Sequence, residues 1–242
     1  MQFWSIKGLV PYSKASEIQQ KLVEKRIADE IPDTVLFLEH TPVVTQGRGL
    51  QWIGQKRAKH EPVPRELPSG VVFEVTQRGG DLTYHGPGQL VVYPIVKLDG
   101  LSFGPKHDVE KYIRKLEEVF SKQLKKFGLV ATARKNATGV WVDDKKVVSI
   151  GIAVRRWVAY HGIAINVMND MSPFNSFSPC GFSSDVMTNL SSLKLNKKLD
   201  KANWRSDLEL SLTEIFLKES QFQLSDHQKV NDLILVKSSE EL

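Results

Sequence analysis

A single cysteine, Cys180, is the whole thiol complement of this 242-residue chain. One cysteine cannot close an internal disulfide. A free thiol suits a reducing compartment, so the cytoplasm is the expected location. No stretch approaches the roughly 18 uninterrupted apolar residues of a membrane helix, and no membrane partner is expected. The opening residues, MQFWSIKGLVPYSK, lack the charged start and long apolar run of a secretory leader. Lys and Arg total 33 against 28 Asp and Glu, a net charge of +5. No dense basic run accompanies that excess, so no nucleic-acid partner is expected, although an acidic protein partner is permitted. No internal repeat occurs. No GK[ST] follows a glycine turn, and no glycine spacing fits a dinucleotide fingerprint. CxxC and HxxxH spacings are also missing, which argues against a metal site. A hydrophobic share of 41% with 25% charged residues excludes disordered and fibrous classes and leaves a globular chain.

The hydrophobic pattern then divides the chain into elements. Residues 13–31 read as a helix that Ser13 can cap and Pro32 stops. Residues 34–39 (TVLFLE) are a short apolar run that suits a buried strand. Residues 50–69 are polar, with Pro62, Pro64 and Pro68, and read as an exposed loop. The β-branched and aromatic runs 70–76 and 90–96 read as strands joined by RGGDLTYHGPGQ. In residues 108–127, Val109, Tyr112, Ile113, Leu116, Val119, Phe120, Leu124 and Phe127 make one helical stripe, with Gly128 as C-cap. Residues 139–142 and 146–154 read as a hairpin turning at Asp143-Asp144, followed by a strand at 159–167. A last amphipathic helix covers 203–218. Strands and helices alternate without βαβ regularity, which indicates an α+β fold. The expected organisation is one domain over residues 1–218 and a polar tail over 219–242, whose single apolar patch is LILV at 233–236.

Three places carry candidate chemistry. Arg78-Gly79-Gly80-Asp81 through His85-Gly86-Pro87-Gly88 packs four glycines, an arginine, a histidine and a tyrosine between two apolar strands. Glycines let a backbone approach a ligand, Arg78 can bind an anion, and His85 can move a proton; the bland reading is turn geometry alone. Cys180 lies in Ser178-Pro179-Cys180-Gly181, a turn-like context that could expose it, against the usual fate of a buried inert thiol. An unperturbed thiol, with a pKa of about 8.5, is only about 3% ionised at pH 7, so a working nucleophile needs a neighbour such as Lys146, His85 or His161. Lys145 and Lys146 open a strand, so alternation turns one inward and leaves the other outside.

These segments together make the sequence resemble the octanoyltransferases of lipoate biosynthesis. The resemblance rests on RGGDLTYHGPGQLVVYPI (78–95), GVWVDDKKVVSIGIAVRRWVAYHGIAINV (139–167) and PFNSFSPCG (173–181), with LEHTPVVTQGR (38–48) in support. It covers roughly residues 30–190, with Thr41 and Gln46 departing from the family's usual proline and leucine. It implies a biotin/lipoate protein ligase-like fold, a mixed sheet with flanking helices around an acyl groove. It implies transfer of an octanoyl group from octanoyl-acyl carrier protein to a lysine of a lipoyl domain. The acceptors would be 2-oxoacid dehydrogenases or the glycine cleavage H protein, and no cofactor would be needed. Carried over by position, the catalytic pair falls on Cys180 and Lys146. The substrate-binding set falls on Arg78, Gly79, Gly80, Asp81, Leu82, Thr83, Tyr84 and His85, on Ser149, Ile150 and Gly151, and on Gly162, Ile163 and Ala164. Backbone N–H groups near Cys180 or at Gly79-Gly80 are candidate oxyanion donors. Arg48, Lys56, Arg57, Arg155 and Arg156 flank these motifs and could face acidic partner proteins. An ATP-dependent ligase of the same fold and a carrier-binding module without catalysis are the alternatives.

Overall fold

The run 34–38 is apolar at successive positions because both of its faces are covered. Val35 and Phe37 join one core, while Leu36 and Leu38 join another. Residues 90–96 repeat the pattern: Leu90, Val92 and Val96 face one way, and Val91, Tyr93 and Ile95 the other. The structure is a computed structural model, and it describes residues 1–49, 63–64, 66–98, 107–135, 137–179, 182–220 and 233–242. In chain order the strands are β1 (Gln2–Val10), β2 (Thr34–His40), β3 (Val43–Gln46), β4 (Val72–Val75), β5 (Leu82–His85), β6 (Gln89–Lys97), β7 (Ala131–Arg134), β8 (Ala137–Val142), β9 (Lys145–Arg155), β10 (Val158–Asn166) and β11 (Ile234–Lys237). The α-helices are α1 (Tyr12–Ile27), α2 (Val109–Lys125) and α3 (Trp204–Glu219).

Eight strands form one sheet in the order β11-β1-β2-β6-β10-β9-β8-β7, and β4-β3-β5 form a second. In the large sheet β1 runs parallel to both β11 and β2, and the remaining neighbours are antiparallel. The sheet is therefore mixed, as the α+β reading requires. α2 and α3 cover one face through Leu116, Phe120, Leu212 and Phe216, and α1 packs on the other through Ile18, Leu22 and Val23. None of the described helices is long and apolar enough to cross a membrane.

The first helix departs from its expected bounds. It starts at Tyr12, Pro11 precedes it, and no side chain caps it. It ends at Ile27, well before Pro32, because Asp29 takes a left-handed φ of 58°. Arg26 clamps that turn by pairing with Asp33 at 2.7 Å and with Asp29. α2 behaves as read: Asp108 accepts a hydrogen bond from Lys111 N at 2.9 Å, and Gly128 follows the helix at φ +78°. The 233–236 patch supplies β11, which pairs with residues 3–6 of β1. Most of the loop expected over 50–69, with Lys56 and Arg57, lies outside the described residues.

Candidate active site

A cavity opens between the two sheets, with about 570 Å³ of empty space, part of it continuous with solvent. Its floor is the stretch of β9 and β10 with the smallest side chains. Ser149 stands opposite Ala164, and Gly151 opposite Gly162. Side chains that oppose each other across antiparallel strands share a face, so these four leave a shallow trough. Val91 and Tyr93 of β6 continue it. The loop after β4 lies directly on this floor: Gly79 N donates to Ile152 O at 2.9 Å, and a Cβ on Gly151 would come 2.6 Å from Gly79 O. Only glycine at 151 permits that contact. The Gly79 N–H is thereby already engaged and is not available to an oxyanion.

Arg78 holds the loop in place and is 7% exposed. Its Nε donates to Thr45 Oγ1 at 3.1 Å, Nη2 to Thr45 O at 2.7 Å and Asp81 O at 2.6 Å, and Nη1 to Gly79 O at 3.0 Å. These bonds go to neutral oxygens, so the guanidinium brings a desolvated positive charge to the cavity wall. Arg78, Gly79, Gly80, Leu82, Thr83, His85, Lys146, Ser149, Ile150, Gly151, Gly162, Ile163 and Ala164 all line the cavity. Two expected binding residues do not. Asp81 accepts from Gln46 Nε2 at 3.2 Å, and Tyr84 packs edge-on against Phe174 in a separate core cluster.

Lys146 is the inward lysine of its pair. It is 6% exposed, whereas the Lys145 side chain is 45% exposed and pairs with Asp185. Its Nζ lies 5.7 Å from the centroid of the Trp141 ring. Gly139, at φ +131°, makes the room: a Cβ there would fall 2.5 Å from Lys146 Cε. Buried Glu117 of α2 fixes that glycine by accepting its N–H at 2.9 Å. The segment before and after Cys180 is laced to the same place. Pro179 lines the cavity, Met187 pairs with Lys146 as an isolated bridge, and Thr188 N donates to Lys146 O at 3.0 Å. Cys180 and Gly181 lie outside the described residues.

Tyr12, His85, Tyr93 and His161 form the polar wall; His40 does not line the cavity, but its ring packs against Tyr12, His85 and Tyr93. His40 Nδ1 donates to Val10 O at 2.9 Å, which leaves Nε2 to accept from Tyr93 Oη at 2.7 Å. Gln89 Nε2 donates to Tyr84 O and Asn166 Oδ1, so its Oε1 accepts from His85 Nδ1 at 2.7 Å. The ring of Tyr12 stacks on His85 at 6.0 Å. Burial holds all three histidines neutral. It pushes His40 down to about 4. It holds His85 well below its ordinary value, helped by His40 and Arg78. It takes His161 to about 3, with Arg78 and Arg48 acting in the same direction. Tyr12 and Tyr93 escape a motif reading because they come from separate elements, whereas His161, named above as a possible neighbour of the thiol, does line the cavity. Among the described residues no cluster of His, Cys, Asp and Glu could hold a metal ion.

The arrangement is a narrow trough with an ammonium at one end and neutral rings at the other. It can hold a slender apolar chain whose reactive end lies by Lys146. Comparison with known proteins bears on what that chain is. The lipoyl protein ligase A/B catalytic domain family matches residues 11–206. An octanoyltransferase of Rubrobacter xylanophilus is 42% identical over 186 residues, 76% of this chain and 80% of that protein. One from Bdellovibrio bacteriovorus is 38% identical over 221 residues, 86% and 95% of the two chains. Among solved structures, a bipartite lipoate protein ligase from Thermoplasma acidophilum matches with a TM-score of 0.63 at 14% identity, covering 99% of this chain and 91% of that one. LipL1 of P. falciparum in complex with lipoate matches with a TM-score of 0.68 at 13% identity, covering 97% and 65%. At such identities the two structures speak for the fold alone.

Proposed function

We propose, from the premise that this chain belongs to the lipoyl protein ligase A/B catalytic family and within it to the octanoyltransferases, that Cys180 relays an octanoyl group from acyl carrier protein to a lipoyl-domain lysine. The activity is octanoyl transfer in protein lipoylation. The observation that carries the residue assignment is Lys146: a buried ammonium at the end of a trough floored by Ser149, Gly151, Gly162 and Ala164, in the same cavity wall as Pro179. A desolvated cation beside a thiol favours the thiolate, the form that attacks.

The steps balance without an outside energy source. Cys180 Sγ attacks the carbonyl carbon of the octanoyl thioester, a new C–S bond forms, and the C–S bond to the carrier breaks. The carrier leaves as a thiolate and takes a proton from Lys146, which becomes neutral. The neutral amine of the acceptor lysine then attacks the acyl-enzyme. A C–N bond forms, the bond to Cys180 Sγ breaks, and the proton lost by the amine returns to Lys146 as the thiolate is restored. A thioester becomes an amide, which runs downhill, so no nucleotide enters. Tyr12, His85 and Tyr93, all neutral, wall the chain without placing a charge against it.

The test is transfer from octanoyl-acyl carrier protein to a purified lipoyl domain with ATP left out, followed by the mass of the lipoyl domain. The mass of one octanoyl group should appear with the parent and not with Cys180→Ala. A gain that requires ATP and free octanoate would make the chain a ligase.

A further inference from the structure

His161 is the strained residue of the cavity. It sits within β10 at a left-handed φ of 56°, unusual for a non-glycine residue and rarer still in a strand. The pairing of β10 with β6 lapses over residues 160–162 and resumes at Ile163 in the same register. The residue facing His161 across that gap is Pro94, which has no N–H to give. The His161 N–H instead donates to Gln19 Oε1 of α1 at 2.8 Å. The backbone is thus held in a costly conformation by a side chain from another element, and such strain gathers at ligand clamps. The ring that results lines the cavity. It is 3% exposed, and its Nδ1 has no hydrogen-bond partner.

Register fixes where this ring stands. Along β9 and β10 the lining residues follow in the order Lys146, then Ser149 with Ala164, then Gly151 with Gly162, then His161 opposite Ile152. The Lys146 side chain reaches to Gly139, its Nζ 3.3 Å from where a Cβ there would stand, and the neighbouring Val140 pairs with Val148, so the ammonium lies level with Val148 and Ser149. From there to the His161–Ile152 level is three to four residues, roughly 10–14 Å at about 3.4 Å per residue. An extended eight-carbon chain spans about 9 Å, from C–C bonds of about 1.5 Å. A chain whose carboxyl end lies by Lys146 therefore ends on the glycine pair, short of His161. Each added pair of methylenes brings its methyl end closer to the ring.

We propose that His161 is the specificity-determining residue that sets the upper limit of acyl length. Its unpartnered Nδ1 closes the apolar trough with a polar end. A chain that stops at Gly151 and Gly162 leaves Nδ1 free to find a polar partner. A longer chain seals Nδ1 against hydrocarbon, where a buried polar atom with no hydrogen bond is costly. Tyr93, whose ring packs edge-on against His161 at 6.4 Å, keeps the imidazole from swinging aside. The neutral state that burial imposes is consistent with this role.

The proposal rests on the octanoyltransferase reading for the identity of the chain, but its test does not need transfer. Equilibrium binding of free alkanoates of six to fourteen carbons is measured by calorimetry on the full chain, for the parent, His161→Gly and His161→Asn. Glycine relieves the left-handed backbone and removes the polar end; asparagine tolerates that backbone and keeps a polar group. The parent should lose affinity by about tenfold or more once the chain outgrows the trough, the scale of a buried polar atom left unpaired. His161→Gly should move that break to longer chains, and His161→Asn should keep a break. A second readout separates polarity from bulk: 8-hydroxyoctanoate and nonanoate have equal length, and replacing His161 by Gly should shift preference towards the methyl end. An unchanged break in His161→Gly overturns the proposal, as does the absence of any length-dependent alkanoate binding to the parent. If the break moves as expected while no octanoyl group is ever transferred, the length gauge stands and the transferase reading falls.

Discussion

Gly139→Ala tests how Lys146 is held. Gly139 sits at φ +131°, a region that side chains rarely adopt, and its N–H is donated to Glu117 Oε1 at 2.9 Å. An added Cβ would lie 2.4 Å from Val148 O and 2.5 Å from Lys146 Cε. Val148 O belongs to a central strand and cannot move far, so the strain divides between the local backbone and the lysine. The backbone conformation alone costs about 1–3 kcal/mol for a non-glycine residue. Overpacking adds about 1–3 kcal/mol. The sum, about 2–6 kcal/mol, is a large part of the roughly 5–15 kcal/mol that keeps a domain folded. With a urea slope of about 3 kcal/mol per molar, the unfolding midpoint should fall by about 0.7–2 M. Iodoacetamide alkylation of Cys180 followed against pH in the folded fraction should also show a raised thiol pKa, because Lys146 is pushed from its place. A variant within about 0.5 kcal/mol of the parent, the range of an ordinary surface change, would refute the claim that this glycine makes room for the lysine.

The same titration should show a higher thiol pKa in Lys146→Ala and little change in Lys145→Ala, since Lys145 is half exposed beside Asp185; an equal shift in both would mean that the wrong lysine was chosen. Acid should weaken the fold before any carboxylate titrates. His40, His85 and His161 have folded pKa values depressed below the unfolded value of about 6.5, so the unfolded chain binds more protons and stability falls as pH drops below that value, until the folded rings themselves protonate, His40 at about 4 and His161 at about 3. Each ring contributes a slope of about 1.4 kcal/mol per pH unit in that window, and urea unfolding that is flat from pH 6.5 to 5 would contradict their burial as neutral rings. Raising salt from 0.1 to 1 M should weaken apparent affinity for octanoyl-acyl carrier protein far more than for a small octanoyl thioester, because screening acts on exposed Arg48 and Arg156. Equal responses from the two donors would leave those arginines as ordinary solvated charges.

Period and alternation made part of this molecule readable. The stripe from Val109 to Leu124 sits on one core because seven of its side chains recur at helical spacing, and Lys146 points inward because strands alternate. Glycine chemistry was readable in kind: Gly151 lines the cavity, and it also admits the backbone of Gly79, a contact that no spacing announced. Other elements gave no periodic signal. β1 carries a register irregularity between Ser5 and Leu9 and a left-handed Gly8, which blur its alternation. β5 hides in a glycine-rich link because Leu82–His85 is buried at every position. β11 is only four residues of an otherwise polar stretch, and its pairing with β1 is a contact across nearly the whole chain. His85 and His161 stood out in the sequence, but the ring wall they share with Tyr12 and Tyr93 is assembled from distant elements, so no local spacing could announce the two tyrosines.

The central claim is that the octanoyl group passes through Cys180. Intact mass spectrometry of the full chain, incubated with octanoyl-acyl carrier protein and without acceptor or ATP, tests it most directly. The account predicts one octanoyl adduct per chain, lost on treatment with hydroxylamine and mapped to Cys180 by fragmentation. A chain that stays unmodified under these conditions, yet still moves octanoyl onto an added lipoyl domain, would contradict it and make the transfer direct.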